Sequence, residues 1–299
     1  MAATFRLLTA LLLLCPLWAQ AFNAVIWQPQ LRDQQISASQ WQQLMQRLPA
    51  QGIDTLVLQW SQYGDAFSQN ADRQWLQARA KAARAAGLRL VIGLYADPEF
   101  FERQKQPDAA VGGYFNRLRA HDRQLAAQWL KALGAQSISG WYLSAEIDDL
   151  RWRTPQSQQP LLQWLRQSRA DLRQIADKPL AVSSFFAGNM SPEDYHQLLQ
   201  TLNGSGVKVW VQDGAGVARL DPAVRQHYLD PLLHCPSPAA AGVIYERFRP
   251  RADGKGFQPL AGAEGNKTAI LPAAAAGCAG DSLVFELRYL PQSSGIMTY

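Results

Sequence analysis

Metal-binding and redox side chains are scarce in this chain, which holds three Cys and four His among 299 residues. The histidines, His121, His196, His227 and His234, fall in segments of helical pattern and none ends an apolar run. Zinc needs such ligands converging at one point, so neither a metal site nor a metal-dependent deacetylase is expected, and no cofactor is implied. No G-x-S-x-G elbow presents a serine nucleophile, and no G-x-G-x-x-G follows the first apolar run to hold a dinucleotide. Lys and Arg number 29 against 24 Asp and Glu, but no basic block of five to eight residues occurs. Arg79, Arg84, Arg117 and Arg119 are scattered on helical faces, so nucleic acid is not an expected partner. No later apolar run approaches 18 residues, which leaves no stable membrane anchor.

The first residues carry a different signal. Met1 to Arg6 form a short positive region, Leu7 to Leu14 are almost wholly apolar, and Ala19-Gln20-Ala21 offers an A-x-A cleavage site. Residues 1–21 are therefore expected to be a signal peptide, with Phe22 beginning the mature chain and a periplasmic or secreted location. Leu14 precedes Cys15 where lipidation would want a small residue. Removing 21 of 299 residues leaves 278, near the roughly 250 of one eight-fold barrel, so residues 22–299 are expected as a single monomeric domain. Two cysteines remain, Cys235 and Cys278, expected as one disulfide in an exported protein, the alternative being two separate buried thiols.

What the chain has in quantity is alternation. Short apolar runs fall at residues 24–27, 55–60, 88–95, 140–143, 180–186, 207–211, 242–245 and 282–289. Between most of them lie helical patterns at 39–48, 71–86, 120–133, 159–176, 192–202 and 222–233. Strand and helix in turn predict parallel βαβ units, and eight of them predict a (β/α)8 TIM-type barrel rather than an open sheet. Residues 249–280 are rich in Pro, Gly and charge, with only 267–276 as a short helix candidate. The last helical connection is thus weakened, and imperfect closure between the last and first strands is expected.

Barrel enzymes work at the C-terminal ends of their strands. Those ends carry Trp27 and Gln28; Gln59, Trp60 and Tyr63; Asp97; Glu146, Asp148, Asp149 and Trp152; Asp213; Glu246; and, in the eighth run, Glu286 and Tyr289. Aromatic faces with amides and carboxylates suit sugar binding. A strand covered on both faces should be apolar throughout, so packing does not explain Glu146 and Glu246 on the fourth and seventh runs. Paired carboxylates cleave glycosidic bonds, and Glu146 is expected as acid/base with Glu246 as nucleophile. Asp213 is the competing partner, in an inverting arrangement, and ion pairing with Arg151 or Arg247 is the structural alternative for the glutamates. Trp27, Gln59, Trp60, Tyr63, Asp97, Asp148, Asp149, Trp152, Asp213 and Tyr289 are the candidate substrate-binding residues.

Five motifs together resemble a known family. They are Trp27-Gln28-Pro29-Gln30; Gly52-Ile53-Asp54-Thr55 with Leu58-Gln59-Trp60-Ser61; Trp141-Tyr142 through Glu146-Ile147-Asp148-Asp149; Val211-Gln212-Asp213-Gly214-Ala215-Gly216; and Tyr245-Glu246-Arg247-Phe248. The set is similar to the bacterial family called domain of unknown function 4434, across nearly the whole mature chain. That resemblance implies a barrel related to glycoside hydrolases, several of them exported. The two glutamates are also similar in placement to clan A of the glycoside hydrolases. That clan usually has Asn before its acid/base, where it contacts a sugar 2-hydroxyl, and this chain has Ala145. The expected activity is glycoside hydrolysis of a poly- or oligosaccharide, the alternative being a non-catalytic carbohydrate-binding barrel in polysaccharide export or modification.

Overall fold

The computed structural model describes residues 21–232, 238–260 and 280–298. Most of the expected leader, Cys235, Cys278 and the helix candidate at 267–276 lie outside the described residues. Eight parallel strands close a barrel in chain order: β1 Asn23–Trp27, β2 Thr55–Leu58, β3 Arg89–Gly93, β4 Gly140–Asp148, β5 Leu180–Phe185, β6 Lys208–Gln212, β7 Gly242–Glu246 and β8 Asp281–Phe285. Closure is complete, against the expectation of an imperfect seam. β1 and β8 pair in register from Asn23↔Ser282 to Ile26↔Phe285.

Six main helices follow the first six strands: α1 Ala38–Arg47, α2 Asn70–Ala85, α3 Asp108–Leu133, α4 Pro155–Ile175, α5 Pro192–Asn203 and α6 Pro222–Leu229. Three of these starts have a side-chain cap. Ser37 and Thr154 close capping boxes, and Ser191 accepts from Asp194 N–H with Pro192 in the first turn. α3 begins twelve residues before the expected 120 because Val111, Tyr114 and Phe115 are buried there. Phe115 stacks on Trp164 of α4 at 4.5 Å, and that packing outweighs the poor helix propensity of Gly112 and Gly113. No helix among the described residues is long and apolar enough to cross a membrane.

Alternation along the strands divides the core in two. Residues such as Ile26, Val57, Val91, Tyr142, Trp210 and Leu283 fill the barrel interior, and their strand neighbours pack outward against the helices. Tyr142 and Trp210 stack across that interior at 5.6 Å. The interior is therefore packed side chain, and space for a ligand exists only at its ends.

Two strand ends differ from expectation. β4 continues past Leu143 to Asp148, and its register against β5 jumps from Leu143↔Val182 to Glu146↔Ser183. Ser144 and Ala145 are the extra residues of this bulge, a device that re-aims the side chain following it. β8 stops at Phe285 rather than running to 289, and Leu287–Tyr289 form a 3-10 turn. The reason is an ion network: Arg288, buried with Glu286 and Asp33, pairs with both and donates to Gln28 O at 2.9 Å. After β7, a short antiparallel pair, Phe248–Pro250 with Phe257–Pro259, lies beside the mouth.

Candidate active site at the C-terminal mouth

A cleft of about 610 Å³ opens at the C-terminal end of the barrel, and among the described residues its lining lies between Gln28 and Glu146. It belongs to β1–β4 and their following loops. Tyr142, Ser144, Ala145 and Glu146 come from β4; Trp60, Tyr63, Phe100 and Phe101 supply aromatic walls; Gln28, Gln30, Gln59 and Asp97 supply polar edges. Trp60 and Tyr63 lie 4.8 Å apart between ring centroids, with Tyr63 and Phe101 each 40% exposed. Exposed aromatic faces beside amides and carboxylates are surfaces on which sugar rings bind.

The walls are held by specific contacts. Trp60 Nε1 donates to Pro29 O at 3.1 Å, tying the second loop to the first. Ser144 Oγ, exposed by the bulge, donates to Gln59 O at 2.6 Å. Gly93 permits the close approach that this requires, since a Cβ there would lie 2.2 Å from Gln59 O. The third loop hangs from helix α3, where Asp122 Oδ1 accepts from Tyr95 N at 3.0 Å. Burial pushes Asp122 up to about 7, against the opposing effect of that N–H.

Glu146 is the carboxylate of the cleft floor. Burial raises its pKa, and Gln212 Nε2, donating to Oε1 at 2.8 Å, works the other way by stabilising the ionised form. Tyr142 lies in the field of Glu146; its phenol, raised chiefly by burial, shares a 2.8 Å hydrogen bond with Ser183.

Glu246 is placed differently. It is 4% exposed, does not line the cleft, and its Oε2 accepts from Gly216 N at 2.6 Å and Val217 N at 3.1 Å. Gly216 is required there, because a Cβ would meet the Phe248 ring at 2.6 Å. Burial and the Asp213 charge push Glu246 up to about 7, the two N–H groups oppose this, and Glu146 adds a smaller upward effect. The two glutamates thus sense one another across the mouth. Asp213 Oδ1 accepts from Glu246 N at 3.1 Å and Ala215 N at 3.0 Å, which makes it a brace for the sixth loop.

Of the expected binding residues, Gln59, Trp60, Tyr63 and Asp97 line the cleft, and the remainder do not. Trp27 is buried against Trp41 at 4.3 Å, and its Nε1 donates to Asp33. Trp152 is fully buried beside Phe115. Asp149, fully buried, accepts from Ala187 N, Asn189 N and Asn189 Nδ2, so it ties down the fifth loop. Asp148 accepts from Leu150 N, Arg151 N and Gln104 Nε2. Tyr289 sits in the 3-10 turn, its ring 5.7 Å from Phe248. Trp27, Trp152, Asp148 and Asp149 are consumed by packing or by internal donors, and Tyr289 is half-buried outside the lining. The structural alternative for Glu146, an ion pair with Arg151, is not what forms: Arg151 pairs with Asp108 at 2.7 Å.

Gln212, Tyr142 and Ser144 were not among the candidate site residues, though Gln212 and Tyr142 stand in the motifs quoted above. The first two carry a signal in hindsight, since period-two alternation puts Tyr142 on the face of Glu146 and Gln212 on that of Trp210. The bulge that exposes Ser144 carries none. Three histidines lie within helices α3, α5 and α6, His234 lies outside the described residues, and no cluster of three metal-ligating side chains occurs among the described ones.

A closed barrel of eight parallel strands with helices between them, its cleft at the C-terminal face, gives the protein a (β/α)8 TIM-type fold. It is similar over 89% of its length to 87% of a Bacteroides thetaiotaomicron VPI-5482 protein assigned as an alpha-L-fucosidase, with TM-score 0.60 and 15% identity. It is similar over 89% of its length to 94% of a GH18 chitinase from Pseudoalteromonas aurantia, with TM-score 0.51 and 12% identity. At such identities the likeness is one of fold. The chain belongs to the family described as Domain of unknown function (DUF4434), whose model matches residues 22–286. The protein YbcH of Escherichia coli (strain K12) is 51% identical to it over 298 residues, covering 99% of this chain and 98% of YbcH.

Proposed function

We propose that the protein is an exported hydrolase of glycosidic bonds in a bacterial poly- or oligosaccharide, with Glu146 as its proton donor. The observation that carries this is a half-buried carboxyl on the floor of an aromatic-walled cleft at the C-terminal end of the barrel, its pKa raised by desolvation. In the retaining form, Glu146 gives its proton to the glycosidic oxygen while the bond to the anomeric carbon breaks and its electron pair leaves with that oxygen. Glu246 adds to the anomeric carbon, and water then displaces it while returning a proton to Glu146. The two N–H groups at Glu246 Oε2 favour the ionised form that this step needs, leaving Oε1 to react.

Placement outside the cleft lining favours a second reading, a carbohydrate-binding barrel without turnover. Release of reducing ends from a panel of bacterial exopolysaccharides separates the two. Glu146→Gln should abolish release while circular dichroism stays unchanged; undiminished release would overturn the assignment. Saccharide binding without release by the native protein would establish the second reading.

A further inference from the structure

A strand covered on both faces should be apolar throughout, yet β5 carries Ser183 and Ser184 side by side, 1% and 0% exposed. Burying a hydroxyl is costly unless it is hydrogen-bonded. Alternation sends the two side chains to opposite faces, Ser183 with Ala181 into the barrel and Ser184 with Val182 toward the helices.

Both hydroxyls nevertheless reach the same short stretch of β4. Ser183 Oγ donates to Ala145 O at 3.2 Å and Ser184 Oγ to Ile147 O at 2.8 Å, the carbonyls on either side of Glu146. Each serine is backed by a tyrosine. Tyr142 Oη lies 2.8 Å from Ser183 Oγ, and Tyr195 Oη, on α5, lies 2.9 Å from Ser184 Oγ. A hydroxyl has one proton and each serine spends it on a carbonyl, so both tyrosines donate to their serines. Two relays of one pattern, tyrosine to serine to carbonyl, thus close on the bulge of β4 from opposite faces. The tyrosines are themselves held, Tyr142 by stacking on Trp210 and Tyr195 by edge contact with Phe186.

We infer that Ser183 and Ser184 are positioning residues for Glu146, clamping the backbone on either side of it so that its carboxyl stays aimed into the cleft. Ser183, Ser184 and Tyr195 lie outside the cleft lining, so their effect on chemistry passes through Glu146. The inference rests on the reading of Glu146 as the acid, but the clamp is a matter of geometry and can be observed without turnover.

Crystal structures of the full chain, native and with Ser183→Ala, Ser184→Ala or both, read the aim of Glu146 directly. In the double variant Glu146 Oε1 should leave Gln212 Nε2, from 2.8 Å to beyond hydrogen-bond reach. On an exopolysaccharide that the native protein hydrolyses, kcat should fall about tenfold in each single variant and about a hundredfold in the double. KM should stay within about twofold, as expected when a catalytic group is misplaced by about an angstrom. Tyr195→Phe keeps the ring but removes the support of Ser184 from behind the strand, and should lower kcat about threefold, the scale of one hydrogen bond. With the single variants it decides the matter if the double variant does not fold. Ser205→Ala deletes another buried hydroxyl, bonded to Leu202 O in the turn before β6, and should leave kcat unchanged. Glu146 still bonded to Gln212 in the double variant, a rise in KM in place of the fall in kcat, or an equal loss of kcat in Ser205→Ala would overturn the inference. If the native protein hydrolyses none of the panel, the hydrolase reading fails, and the position of Glu146 in the variant crystals still decides this one.

Discussion

The two halves of the barrel mouth use the same residue types to opposite ends. On the β1–β4 side, loops stand apart around a cleft, and Glu146 meets a single side-chain donor from Gln212. On the β5–β8 side, acidic groups are consumed internally. Glu246 and Asp213 brace one another's loops, and Glu286 is locked between Arg288 and Gln28 N–H. Asp149, though it follows β4, belongs with this second group because its donors come from the loop after β5. Asp149, which accepts at both oxygens, has little reactivity to spare, since leaving those donors unpaired would cost stability, whereas Glu246 takes its two N–H donors on Oε2 alone. The count of donors separates chemistry from architecture better than position on a strand end does.

The sharpest way to break that comparison is to exchange carboxyl for amide or methyl on each side. Glu146→Gln should reduce hydrolysis about 10³-fold, the scale of a general acid, with the unfolding midpoint almost unmoved. Asp149→Ala should do the reverse: it strands Ala187 N–H and Asn189 N–H, so a loss on the order of 3 kcal/mol is expected in denaturant titration. Large activity loss with unchanged stability in Asp149→Ala would mean that the two groups do not differ as argued.

Asp122 sharpens the comparison through pH. Its ordinary value of 3.8 is raised to about 7 in the fold, so between those values the folded chain keeps a proton that the unfolded chain has released. Its contribution to stability is complete below 3.8 and lost as pH rises through 7. Asp122→Asn keeps an acceptor for Tyr95 N–H but cannot titrate, and should flatten that part of the stability profile; an unaltered slope would locate the titration elsewhere, for instance on Glu246.

The smallest effect is expected at Gln212. Gln212→Ala removes the donor that favours ionised Glu146, so the pKa of Glu146 should rise further and the alkaline limb of the rate profile should move to higher pH. A shift to lower pH would contradict the assigned cause.

Much of the fold was legible in the linear pattern. All eight strands and six helices occur where apolar runs and amphipathic segments place them, and Ser37, Thr154 and Ser191 mark helix starts by local chemistry. The early start of α3 was hidden because aromatic packing between α3 and α4 overrode two glycines. The candidate site was legible in part. Trp60, Tyr63, Gln59, Asp97 and Glu146 reach the cleft, whereas Trp27 and Trp152 read as cleft residues only because an aromatic ring near a strand end looks the same whether it faces a ligand or a helix.

Periodicity states which face a side chain takes, and that is a property of its nearest neighbours along the chain. It brought Glu146 to the mouth of a barrel, and family membership follows from the same linear motifs. What each carboxylate is bonded to is set by segments far away: Gln212 reaches Glu146 across 66 positions and Gln28 meets Glu286 across 258. The bulge at Ser144 and Ala145 depends likewise on how β4 registers against β5. Hydrogen bonds of that kind exist only once the barrel has closed, and they decide which acidic strand end faces the cleft and which ones hold the barrel together.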